Sequence, residues 1–269
     1  MSELITRLEK ISKGSPTPMG FGAVSRAEKM PCMALVGLLR SNHAKKAELV
    51  AKVKFDAALL EGDGLDGQLS DIAGALNTVP WGVAVDELDS KKAQELIEKG
   101  CDFFVVSLQK TEMEAMREEK PAYLLPVPLD ADDRFLRAVE GLPVDAVILS
   151  LDSAASPLTL QHFVSIGTIR PMLDKYLLLK VGASVTSREL EALRDAGVDA
   201  LVVDVEKASE KALTELKERL LDLPKPKKNK SERLSALLPR LSQKTAATPR
   251  RTEPDEDDDD ESQASTGGA

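Results

Sequence analysis

Eight short apolar runs recur along the first 205 residues. They are CMALVGLL (32–39), FDAALLEG (55–62), WGVAVDE (81–87), CDFFVVSL (101–108), AYLLPVPL (122–129), VDAVILSL (144–151), YLLLKVG (176–182) and VDALVVDV (198–205). The runs are nearly all apolar rather than alternating, so each predicts a strand buried on both faces, as in a parallel sheet wrapped by helices. Amphipathic stretches follow them: HAKKAELVAKV (43–53), LDGQLSDIAGAL (65–76), DSKKAQELIEKG (89–100), EMEAMREE (112–119), DADDRFLRAVEG (130–141), SPLTLQHFVSIGTIRPML (156–173), TSRELEALRDAG (186–197) and SEKALTELKERLLDL (209–223). Each predicts a helix. Asp89, Ser156 and Thr186 suit N-cap positions, Pro157 a first helical position and Gly100 a C-cap. The spacing of the runs is that of a strand, a helix and two short loops. Eight such units predict an α/β fold, a complete (β/α)8 TIM barrel over residues 1–223. A doubly wound open sheet is the competing arrangement. It needs no eighth unit and usually opens on a glycine-rich turn, which LLRSNHAKK does not offer.

The flanks read differently. SELITRLEKISK (2–13) places Leu4, Ile5, Leu8 and Ile11 on one helical face and is expected to close the bottom of the barrel. A loop rich in glycine and proline follows over 14–31. Its string PTPMGFGA (16–23) reads as a glycine turn, with a ligand or subunit contact as the alternative. From 224 onward the chain turns basic, proline-broken and low in complexity. A leucine cluster at 234–241 is interrupted by Pro239. Too little apolar surface is present there to offset ordering entropy, so the expectation for 224–269 is a disordered tail.

Charge sharpens that division. Residues 225–251 hold nine Lys/Arg against Glu232 alone, and 253–261 hold eight acids and no base. The tail therefore sums to zero, and the net charge of −9 belongs to residues 1–224. An acidic barrel argues against nucleic acid as its own ligand, because phosphate contacts carry most non-specific affinity. The charged tail suits contact with another protein, or a solubilising role. No apolar run reaches the length of a membrane span or signal segment, which predicts a soluble, cytoplasmic protein without a membrane partner. Cys32 and Cys101 fall in apolar runs and read as small buried hydrophobes of a reducing compartment.

In such a barrel the chemistry lies at the C-terminal strand ends. Those positions offer Arg40, Ser41, Asn42 and His43; Glu61 and Asp63; Asp86 and Glu87; Ser107 and Gln109; Asp130; Ser150 and Asp152; Lys180; and Asp204. Carboxylates around cations can serve as acid and base groups or hold a divalent ion. They equally cap helices and solvate loops. Lys180 is the most pointed residue, since it follows three leucines within a strand whose outer face a helix would cover. Its ammonium should enter the lumen or the mouth. Beside Asp152 and Asp204 it could bind an anion, act as an amine nucleophile, or form a structural ion pair. His162 lies mid-helix and reads as packed or surface-exposed. No histidine pair, GxSxG, GKS/T or HExxH string occurs, so no metal site and no cofactor is assigned.

The stretch YLLLKVGASVTSRELEALRDAGVDALVVDV (176–205) resembles the last two β-α units of the phosphate-binding TIM barrels. That group includes nitronate monooxygenases, inosine-monophosphate dehydrogenase-like enzymes, and the ribulose-phosphate and tryptophan-biosynthesis barrels. The resemblance implies a phosphate cradle at Gly182, Ala183 and Ser184. The second glycine turn of that pattern is replaced by Asp204-Val205-Glu206, whose carboxylates would repel phosphate. Two functions follow. One is an enzyme that binds a small phosphorylated or anionic ligand, with Lys180 as anion holder or nucleophile and Asp86, Asp152 or Asp204 as acid, base or metal ligand. The other is a non-catalytic barrel that acts as a binding or scaffold protein. Short βα loops and the broken turn favour the second.

Overall fold

The computed structural model describes residues 1–13, 30–40, 43–62, 67–117, 120–151 and 157–224. The chain divides into two compact units, Met1–Pro226 and Lys227–Ala269, and the second lies wholly outside the described residues. The expected tail, the 14–29 loop with PTPMGFGA, and Ser41, Asn42, Asp63, Asp152 and Ser156 lie outside them as well.

Eight strands form one closed parallel barrel in sequence order. They are β1 (Ala34–Leu39), β2 (Ala57–Leu60), β3 (Trp81–Ala84), β4 (Phe103–Val105), β5 (Ala122–Val127), β6 (Ala146–Ser150), β7 (Tyr176–Val181) and β8 (Ala200–Asp204). Closure is made by β8 returning to β1, with Ala34 opposite Ala200 and Leu38 opposite Asp204. No strand is left as an edge. Eight helices accompany them among the described residues: α1 (Glu3–Lys13), α2 (His43–Val53), α3 (Leu69–Leu76), α4 (Ser90–Glu98), α5 (Asp133–Glu140), α6 (Leu160–Ile169), α7 (Ser187–Asp195) and α8 (Glu210–Asp222).

Alternation along each strand separates two apolar clusters. Leu35 and Leu39 of β1 and Leu177 and Leu179 of β7 face outward onto the helices. Ala34, Val36 and Leu38, with Leu178, Val202 and Ile148, face the lumen. Alanines occupy the first luminal position of five strands (Ala34, Ala57, Ala122, Ala146 and Ala200), and they share their cluster with Leu4 and Leu8 of α1. The N-terminal helix thus supplies the bulk that the alanines leave out. Its first turn is fixed by Asp102, just before β4, which accepts from Ser2 Oγ (2.7 Å), Glu3 N–H (2.7 Å) and Leu4 N–H (2.9 Å). Arg7 donates to the carbonyls of Asp56 and Thr78. Mid-barrel, the Phe103 ring fills the space beside Gly82, where a Cβ would lie 2.3 Å from Phe103.

Helix starts follow local chemistry. Asp89, Asp132, Thr186 and Ser209 cap α4, α5, α7 and α8 through side chain to backbone bonds. Two expectations need correction. The segment read as a helix from 156 begins at Leu160, with Pro157 outside it. Thr159 takes the N-cap position, and its N–H donates to His162 Nδ1 (3.1 Å). The stretch at 112–119 forms a 3-10 turn over Met113–Met116 instead of an α-helix. Thr111 forms a bridge to Leu88 after β4, leaving too few residues before Ala122 for a helix and its loops. Cys32 and Cys101 are free thiols that lie just before β1 and β4 rather than within them. Burial pushes the Cys101 thiol up to about 12. No helix among the described residues is long and apolar enough to cross a membrane.

Candidate functional site

The luminal parity of the strands decides which polar groups meet at the mouth. Lys180 lies on β7 two residues beyond luminal Leu178, opposite Ser150 of β6 and Val202 of β8. Its ammonium therefore enters the upper lumen, as the run of leucines before it predicts. There it stands 3.7 Å from Glu61 Oε2, at the end of β2. Arg40, just past β1, brings its Nε within 3.0 Å of the same oxygen and 3.9 Å of Asp204 Oδ2. Lys207 Nζ lies 3.8 Å from Asp204 Oδ2. Three cations and two carboxylates from four strand ends thus form one network.

Electrostatics follow from burial and neighbours. The Lys180 amine is held below its ordinary value of 10.5, first by burial and then by the positive charges of Arg40 and Lys207. Glu61 and Asp204 act in the opposite sense, favouring the ammonium. Asp204 is the fixed carboxylate, with its side chain 12% exposed. Its Oδ1 accepts the Glu206 N–H (3.0 Å). Glu61 and Arg40 are rim groups, with side chains 42% and 41% exposed.

A hollow of about 420 Å3 opens between β7 and β8. On one side runs the turn Gly182, Ala183 and Ser184. On the other stand Lys207, Ala208 and Ser209 with the first turn of α8. Arg40, Lys180 and Asp204 add to its charged lining, so among the described residues three cations face one carboxylate. Glu206, which occupies the position of the missing glycine turn, is not part of this lining; its Oε1 accepts the Arg40 N–H (3.2 Å). The repulsion expected from both carboxylates thus reduces to Asp204, which Arg40 and Lys207 offset. Lys207 and Ser209 were not among the sequence candidates. Their signal was position: Ser209 caps the helix after the eighth strand, and Lys207 lies two residues before it.

Asp86 is not brought to this network. It lines a second hollow of about 690 Å3 over β3 and β4, together with Ser107, Gln109, Lys92 and a wall that includes Val83, Val85 and Leu108. Glu61 belongs to that wall as well. Asp152 lies outside the described residues. Among the described residues no three His, Cys, Asp or Glu side chains gather as a metal-binding group.

The closed parallel ring is a TIM barrel. Solved structures share that fold at low identity. Mutants of the tryptophan synthase alpha-subunit from the hyperthermophile Pyrococcus furiosus align with TM-scores of 0.56 and 0.57 at 13% identity, covering 71% of this chain and 97% of theirs. The native KDPGal structure aligns with a TM-score of 0.51 at 15% identity, over 76% of this chain and 96% of its own. These likenesses carry the fold and nothing finer. Neither protein-family models nor curated proteins give a match to the chain.

Proposed function

We propose that this barrel binds a small anionic ligand, a phosphate ester foremost, in the hollow between β7 and β8. The observation that carries the reading is the lining itself: among the described residues, three cations against one carboxylate, beside a glycine-containing turn and a helix N-terminus. Backbone N–H groups of Gly182, Ala183 and Ser184 and of the first turn of α8 would cradle the anion, and the helix dipole favours negative charge there. Lys180 would hold its charge, or act on it as an amine whose proton is held less tightly than usual. Asp204 would orient the cations or exchange a proton, and Asp86 would serve the neighbouring hollow. On this reading the site would resemble that of the ribulose-phosphate and tryptophan-biosynthesis barrels of the phosphate-binding group.

A non-catalytic barrel is the second reading. The internal pairing of the rim cations with Glu61 and Asp204 favours it, because such a network is also a stable structure in its own right. Thermal unfolding with and without millimolar phosphate and a set of sugar phosphates separates the two. Ligand that binds only the native state raises Tm. Wild type should shift upward and Lys180→Met should not. No shift with any of these compounds would leave the scaffold reading standing.

A further inference from the structure

The two hollows differ in charge, and one side chain belongs to both. Among the described residues, the β7–β8 hollow is lined by three cations and one carboxylate, whereas the β3–β4 hollow carries Glu61 and Asp86 against Lys92. Glu61 lines the second, yet its carboxylate reaches the Arg40 and Lys180 that line the first. From its own side it engages the cations that an incoming anion would use from the other.

We propose that Glu61 is a built-in competitor for the anion site and changes partners when that site fills. A phosphate or carboxylate group entering between β7 and β8 takes over Arg40 and Lys180. The released Glu61 carboxylate then serves the β3–β4 hollow, where it accepts a hydrogen bond from the body of the ligand. The inference rests on the anion-binding reading above and narrows it. The ligand class becomes an anionic head joined to a body that reaches the β3–β4 hollow and bears a hydroxyl or amino donor. Of Glu61 and Asp204, Glu61 is the more exposed and so the more readily displaced. Its pairing with Arg40 is a two-fifths exposed surface pair, which contributes little in water. Asp204 is half-buried and tied to the backbone of its own loop.

Calorimetric titration of the full chain tests this, with inorganic phosphate in one arm and malonate in the other. Glu61→Gln keeps the shape of the side chain and removes its charge. We expect phosphate or malonate to bind Glu61→Gln about fivefold more tightly than wild type, a gain of about 1 kcal/mol. The arm with the larger gain identifies the head group. Lys180→Met should cost at least about tenfold in either background, consistent with the loss of one charged contact. Equal or weaker binding by Glu61→Gln overturns the competitor role and leaves the anion site intact. Absence of binding in both proteins overturns both. Should Glu61→Gln fail to fold, Glu61→Asp withdraws the carboxylate by one methylene and should give a smaller gain; a loss there overturns the proposal equally.

Discussion

Lys54 follows α2 with φ +60°, a left-handed conformation that costs an L-residue about 1–2 kcal/mol. Its role is visible from two relatives in the same barrel. Gly100 (φ +95°) and Gly197 (φ +84°) follow α4 and α7, and in all three cases the next N–H reaches back five residues: Phe55 to Val50, Cys101 to Leu96 and Val198 to Leu193. This is the glycine-favouring helix stop, with lysine in one of its copies. Lys54→Gly should therefore stabilise the protein by about 0.5–1 kcal/mol after the unfolded-state entropy of glycine is subtracted. Urea unfolding at neutral pH checks it; an unchanged or lowered midpoint would show the strain to be relieved elsewhere. The same scale sets what the sequence could show of the site. Lys180 was legible as luminal because it lies towards the end of an apolar strand whose outer face a helix covers. Its partner Glu61 was legible only as a strand-end residue, because β2 and β7 lie far apart in sequence and meet only across the lumen.

Aspartate precedes every second strand: Asp56 before β2, Asp102 before β4, Asp145 before β6 and Asp199 before β8. Three of them accept the N–H of the second residue of the strand before: Leu35, Tyr123 and Leu177, each at 2.8 Å. Asp102 departs from the pattern and holds α1 instead. The strings FDA, CDF, VDA and VDA were open to reading, but nothing local distinguishes the aspartate that recruits a distant helix. Burial holds the Asp199 carboxyl above its usual value, opposed by the Leu177 N–H and Arg170. Asp102→Ala removes three hydrogen bonds, two of them from a helix N-terminus whose dipole favours the carboxylate. We expect a loss of about 2 kcal/mol. Exchange of the α1 amides, followed by mass spectrometry, should quicken more than that of the strands. Uniform quickening would mean that α1 and the barrel open together. Helix boundaries were less legible than strands, and for a stated reason. Pro157 permits a helix start but does not impose one, and a β-bridge at Thr111 shortens the following turn from outside it.

Closure makes the ring cooperative, because each strand is held by two neighbours and the last pairing joins β8 to β1. The regular spacing of apolar runs was enough to predict eight units, whereas the division into lumen and shell shows only in the folded barrel, because the runs are apolar on both faces. Among the described residues, the contacts that finish the ring reach as far as Pro224. Cys32 Sγ donates to the carbonyls of Leu223 and Pro224, Arg194 reaches the Pro224 carbonyl, and Lys217 of α8 pairs with Asp56 at 2.8 Å. The net charge of −9 also belongs to residues 1–224, so long-range repulsion within the barrel owes nothing to the balanced charges after it. A chain ending at Pro224 should thus unfold in urea at the midpoint of the full protein, within about 0.5 kcal/mol. A chain ending at Val198 loses β8 and α8, leaves β1 and β7 as bare edges, and should not fold. If the first truncation lost as much as the second, residues 225–269 would be part of the folding unit, and the division of this chain into a barrel and a separate tail would fall.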